Sequence, residues 1–188
     1  MRDRRTPITI LTFVLVLTTW SLINAAPPTT VSGSVDAATR SIRRIDLSRH
    51  INTLASDTLE GRAAGTDGGR AAGSYLVQQL RRLKLSPAGN DGDFFQEFSE
   101  QGYRNILAVI PGTDPVLKNE FILVGAHYDH VGLGPKRTSL GGIGQIHNGA
   151  DDNASGSAAV LEVAEALAGS GQLDHRRSIP VSYTHLPL

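Results

Sequence analysis

Apolar and polar positions along the chain predict alternating helices and strands. Between residues 40 and 54, Ile42, Ile45, Leu47 and Leu54 recur at helical spacing and are the candidate buried positions; His50, among Arg49 and Asn52, reads as a surface histidine. Gly65-Thr66-Asp67-Gly68-Gly69 predicts a loop in which Asp67 caps the next helix. Residues 70–85 then form an amphipathic helix, with Ala72, Tyr75, Leu76, Gln79, Leu80 and Leu83 near one face and Arg70, Gln78, Arg81 and Arg82 on the other. Phe94, Phe95 and Phe98 begin an extended segment, and residues 104–110 (RNILAVI) predict a strand closed by Pro111-Gly112. Residues 120–126 predict a second strand, apolar on both faces, which implies a sheet covered on both sides. A last helix spans 154–168, with Ala158, Val160, Leu161, Val163, Ala164, Leu167 and Ala168 apolar and Glu162 and Glu165 on a solvated side. Strands alternating with helices point to an α/β sandwich.

The N-terminus adds a compartment. Met1-Arg2-Asp3-Arg4-Arg5 is basic, residues 8–23 are an apolar run, and Asn24-Ala25-Ala26 are small. That order describes an export signal cleaved after Ala25, so residues 1–25 are read as a signal peptide and the rest as secreted or periplasmic. A membrane anchor facing outside is the alternative, although the run is shorter than the roughly 20 residues of a spanning helix. Residues 26–39, small, polar and proline-bearing, read as a linker without fold.

Balanced charge, 18 basic against 18 acidic residues, gives no reason to expect a nucleic-acid partner. The absence of cysteine excludes disulfides, thiolate zinc sites and cysteine nucleophiles, leaving His, Asp and Glu for any metal. Those types concentrate in one stretch. His127-Tyr128-Asp129-His130 ends the second strand, and Asn148-Gly149-Ala150-Asp151-Asp152-Asn153 opens the last helix. On a strand, His127 and Asp129 leave the same face, so a carboxylate can orient the imidazole. The carboxyl end of a buried strand is also where open α/β sheets place their sites. A helix N-cap accounts for one acidic residue at 151–152; two adjacent carboxylates repel, and a divalent cation would offset that.

HYDHVG followed by NGADDNASG resembles the zinc exopeptidase family of secreted aminopeptidases, relatives of aminopeptidase Y and carboxypeptidase Q. LASDTLEGRAAGT and RNILAVIPG resemble that family's N-terminal part, so residues 40–179 are read as the N-terminal part of its catalytic domain. The resemblance implies a three-layer α/β sandwich with a mostly parallel mixed sheet, only its N-terminal half present. It implies a two-zinc site with His127 on one ion, Asp151 bridging both and Asp129 orienting His127. Asp152 would follow the bridging residue across a cis peptide, in the second shell. The resemblance matches neither His130 nor His147 to a ligand position, and both are read as flanking or surface residues. The implied reaction is hydrolysis of N-terminal peptide bonds, with peptide or protein N-termini as substrate and a general-base glutamate from segments absent here.

After Ile179 the family pattern would continue into an apolar strand. Pro180 is out of place in a central strand, so residues 180–188 are read as a non-native tail, and the chain is expected to bind zinc weakly and lack peptidase activity. Three other readings stand beside this one. A metallo-β-lactamase-like hydrolase lacks its first histidine here, a non-catalytic receptor or binding module would keep the fold and lose ligands, and a cyclase acting on N-terminal glutamine would use a similar site.

Overall fold

A computed structural model describes residues 31–134, 142–169 and 177–185. The expected signal peptide and its apolar run lie outside them. No helix among the described residues is long and apolar enough to cross a membrane.

Among the described residues are four α-helices and five strands: α1 (Val31–Ser41), α2 (Arg44–Leu54), α3 (Asp67–Arg82), β1 (Ser86–Pro87), β2 (Phe95–Glu97), β3 (Arg104–Ile110), β4 (Val124–His127), α4 (Ser155–Gly169) and β5 (Ile179–Thr184). The open mixed sheet runs β1-β3-β5-β4, with β2 also paired to β3. β3 lies antiparallel to β1, β2 and β5, whereas β4 and β5 are parallel. The α/β class is as expected. Within it α1, α2 and α3 all contact α4, which lies on β3, β4 and β5. Accordingly Ile106, Ala108 and Ile110 of β3 are buried, while the alternate Asn105, Leu107 and Val109 are half-buried. The core joins Leu76 and Leu80 of α3 to Ile106, Leu161, Val181 and Tyr183.

Several expectations are corrected. Residues 31–39, read within a foldless linker, lie in α1, and Ala38 is buried. α3 starts at Asp67, three residues early, because Thr66 rather than Asp67 is the cap: its hydroxyl accepts the Gly69 N–H at 3.1 Å. The strand expected over 120–126 is the shorter β4, and it lies at the sheet edge. Phe121, Ile122 and Leu123 are therefore exposed rather than covered on both sides.

The break expected at Pro180 is also absent. β5 runs through it in the middle of the sheet, pairing Pro180 with Val109 and Val181 with Val124. The missing N–H still leaves a mark. Ser178 N–H donates to Glu120 O at 3.1 Å and Ile122 N–H to Ser178 O at 3.1 Å. Continuing that parallel ladder, the next donor toward β4 is residue 180, which has none, and pairing resumes only at Val124. The proline shortens β4 instead of ending β5.

α2 departs most from its apolar pattern. Its buried residues are Asp46, His50 and Leu54, one face at spacing four, while Ile45 is 68% exposed. His50, read as a surface histidine, is 2% exposed; its Nδ1 lies 2.6 Å from the Tyr75 hydroxyl and its Nε2 3.3 Å from Glu162 Oε1. Glu162, read as solvated, is equally buried. A tyrosine donating to Nδ1 leaves Nε2–H facing the carboxylate, the tautomer that suits both neighbours.

Burial holds the His50 imidazole below its ordinary 6.5, Arg49 and Arg82 add to this, and Asp46 opposes it. Burial pushes the Glu162 carboxyl upward against a hydrogen bond from the Arg43 backbone, with Glu165 and Asp46 adding to the rise and Arg49 opposing it. For His50 the unfolded chain takes a proton that the folded chain refuses. Its contribution is therefore complete above pH 6.5 and declines as pH falls below that value; Glu162, with a raised value, changes in the opposite sense above its ordinary 4.5. Urea midpoints measured at pH 7.5 and 5.5 should separate the two. Relative to wild type, His50→Gln should remove a pH slope of at most about 1.4 kcal/mol per unit. Parallel pH dependence in the two proteins would contradict the buried neutral imidazole.

Candidate metal centre

The site forms where β4 ends and α4 begins. β4 delivers His127, whose carbonyl accepts the Ser157 hydroxyl of α4 at 2.9 Å, and pairing with β5 continues through Tyr128 N–H to Thr184 O at 2.9 Å. Facing it, Ala150–Ala154 make one wide π turn before α4, and the Asp152–Asn153 peptide is cis. Gly149 enters this turn at φ +57, where a Cβ would lie 2.4 Å from Asp152 O and 2.5 Å from the His130 ring. Only glycine combines that backbone with that closeness.

Within the turn, Asp152 and not Asp151 reaches the histidine. His127 Nε2 is 3.0 Å from Asp152 Oδ1, and His130 Nδ1 is 3.6 Å from Asp152 Oδ2. Asp151 is exposed, and its carboxylate makes no ion pair among the described residues. The pair on which the sequence reading rested, His127 with Asp151, is not brought together. The expected cis peptide likewise falls one residue later, between 152 and 153.

Asp129 is 1% exposed, with its carbonyl 3.2 Å and its Oδ1 3.6 Å from His127 Nδ1. Holding a proton on Nδ1 leaves Nε2, the nitrogen turned to Asp152, free to ligate. His130, read as flanking or surface, flanks Asp152. Burial, with the Arg62 charge next, keeps its imidazole below the ordinary 6.5. His147 Nε2 lies 3.0 Å from the Gly142 carbonyl.

Two donors on one tetrahedral zinc, each about 2.0–2.2 Å from the ion, stand roughly 3.3 Å apart. The 3.0 Å between His127 Nε2 and Asp152 Oδ1 fits that spacing. The set is partial, because among the described residues no three His, Cys, Asp or Glu side chains converge as a metal cage.

Sequence reasoning missed two residues. Arg62, from the LASDTLEGR segment, is fully buried beneath the site. Asn148 donates from its amide to Ala55 O at 2.8 Å and Asp57 Oδ1 at 2.7 Å, tying the same segment to the site loop. The signal was present in the shared family resemblance of LASDTLEGR and NGADDN, two segments that prove to be in contact.

Residues 105–183 match peptidase family M28, a span that includes the site and all but one residue of each of β3 and β5. The zinc exopeptidase resemblance read from the motifs is thereby borne out. Leucine aminopeptidase 1 of Sclerotinia sclerotiorum is 32% identical over 129 residues, covering 65% of this chain and 30% of that protein. Among solved structures, the Legionella pneumophila LapA aminopeptidase aligns with TM-score 0.63 and 19% identity, covering 82% of this chain and 37% of that one. A Zn-dependent exopeptidase from Parabacteroides distasonis aligns with TM-score 0.50 and 20% identity, covering 76% and 48%. The two structures share the fold. The chain spans between 23% and 35% of the length of the curated relatives it matches.

Proposed function

We propose that the chain is the metal-binding N-terminal part of a zinc-dependent aminopeptidase acting on peptide N-termini outside the cytoplasm. The observation that carries this is the approach of His127 Nε2 to Asp152 Oδ1 within the family M28 segment. Bound zinc would supply a Lewis acid and lower the pKa of a water. In this reading His127 and Asp152 hold metal, and Asp152 takes the bridging part first read for Asp151. Its two oxygens face different neighbours, Oδ1 lying 3.0 Å from His127 Nε2 and Oδ2 3.6 Å from His130 Nδ1. Residue 129 fixes the His127 ring, and Ser157 fixes the strand end that carries it. The export reading rests on the basic, apolar and small succession of residues 1–26.

Two donors do not make a catalytic zinc site, which uses about three protein ligands per ion. The 188-residue chain alone is therefore expected to bind zinc weakly and to release no nitroanilide from leucine p-nitroanilide. Calorimetric zinc titration, reversed by a chelator, tests the reading. Weak binding lost in His127→Ala supports it, and binding indifferent to that substitution overturns it. Chelator-sensitive nitroanilide release by the chain would contradict the incomplete-site account.

A further inference from the structure

Arg62 is fully buried, yet among the described residues no carboxylate oxygen bonds its guanidinium. Its partners there are all backbone carbonyls. Nε donates to Tyr128 O at 2.7 Å; Nη1 donates to Leu54 O at 3.1 Å and to Asn148 O; Nη2 donates to Gly149 O at 2.6 Å and Asp152 O at 3.4 Å. A guanidinium carries five N–H donors in a rigid plane, and here five carbonyls receive them. The acceptors come from three segments: the end of α2, the residue after His127, and the stretch from Asn148 to Asp152 that enters the π turn.

We infer that Arg62 is the positioning residue of the metal centre, setting the distance between Asp152 and His127 by gripping the backbone on both sides of the pair. The inference rests on the proposed metal reading for its purpose but not for its geometry. Tyr128 O is one residue from the imidazole donor and Asp152 O belongs to the carboxylate donor itself, so one rigid group references both. Lysine could not substitute, because three donors radiating from a point cannot serve five carbonyls spread over a plane. The charge also persists: burial lowers the Arg62 pKa to about 10, with Asp129 and Asp152 opposing, so the group is protonated at neutral pH.

The test pairs Arg62→Lys with Leu80→Ala, a cavity in the core of α3. Both are made in the 188-residue chain and compared at matched global stability, set by urea. Amide exchange of residues 147–154 is followed without metal, and zinc affinity is measured per folded molecule. Arg62→Lys should speed loop exchange by about tenfold or more beyond Leu80→Ala. It should also weaken zinc binding about 10–100-fold, the range for groups that orient ligands, while Leu80→Ala leaves affinity within about twofold. Equal loop exchange in the two variants would overturn the positioning role whether or not zinc binds. Faster exchange confined to Arg62→Lys, in a chain that binds no zinc, would uphold the positioning of the loop and sink the metal reading instead.

Discussion

Gly61→Val is expected to leave the chain without a cooperative unfolding transition at 25 °C. Gly61 has φ +70, and a Cβ there would stand 2.3 Å from Gly132 O and 2.6 Å from His147 O. Neither carbonyl can retreat freely. Gly132 N–H donates to Gly61 O at 3.1 Å, and Gly132 O accepts His147 N–H at 2.9 Å, so the three loops are laced backbone to backbone. A β-branched residue adds strain in the left-handed region to two backbone overlaps, a combination costing more than about 4 kcal/mol. Against a total stability of roughly 5–15 kcal/mol for a domain, little would remain. Circular dichroism through a urea titration reads this directly, with Gly61→Ala falling between wild type and Gly61→Val. A Gly61→Val midpoint within experimental error of wild type would show that the loop crossing yields easily.

The second large effect concerns neighbouring acids. Asp152→Asn should reduce zinc affinity by more than the 10–100-fold typical of residues that merely orient ligands, since it neutralises one of two converging donors. Asp151→Asn should change affinity by no more than about threefold, because an exposed carboxylate outside the pair acts only through screened field. Calorimetry on the two variants and wild type, in one buffer, separates them. Equal losses would mean that the turn rearranges on binding to bring both acids in, and a loss specific to Asp151 would return the bridging role to the residue first read for it.

Why the sequence placed that role one residue early is a matter of local geometry. Adjacent aspartates at a helix entry differ in direction by whatever turn precedes the helix, and this one is a wide π turn entered through a left-handed glycine. No periodicity specifies such a turn. Regular elements were legible: RNILAVI is β3 to the residue, and the apolar stripe of α3 packs where its spacing put it. His127 at the end of a strand was legible for the same reason. α2 was not, because its buried face is polar. Asp46 pairs with Arg43 and Arg49 close by in sequence, His50 meets Glu162 and Tyr75 from distant segments, and Ile45, the better hydrophobe, is exposed. Pro180 misled because a proline's missing donor was counted against a whole strand. It costs one rung, and the chain places it where the neighbouring strand has not yet begun. Arg62 left no trace beyond its motif, because backbone carbonyls carry no sequence signature.

Where zinc sits decides the assignment. Crystals of the chain soaked in millimolar zinc and measured at the zinc absorption edge should show an anomalous peak about 2.0–2.2 Å from His127 Nε2 and from an oxygen of Asp152. A peak beside Asp151 that avoids Asp152, or no peak within ligating distance of His127, would contradict it.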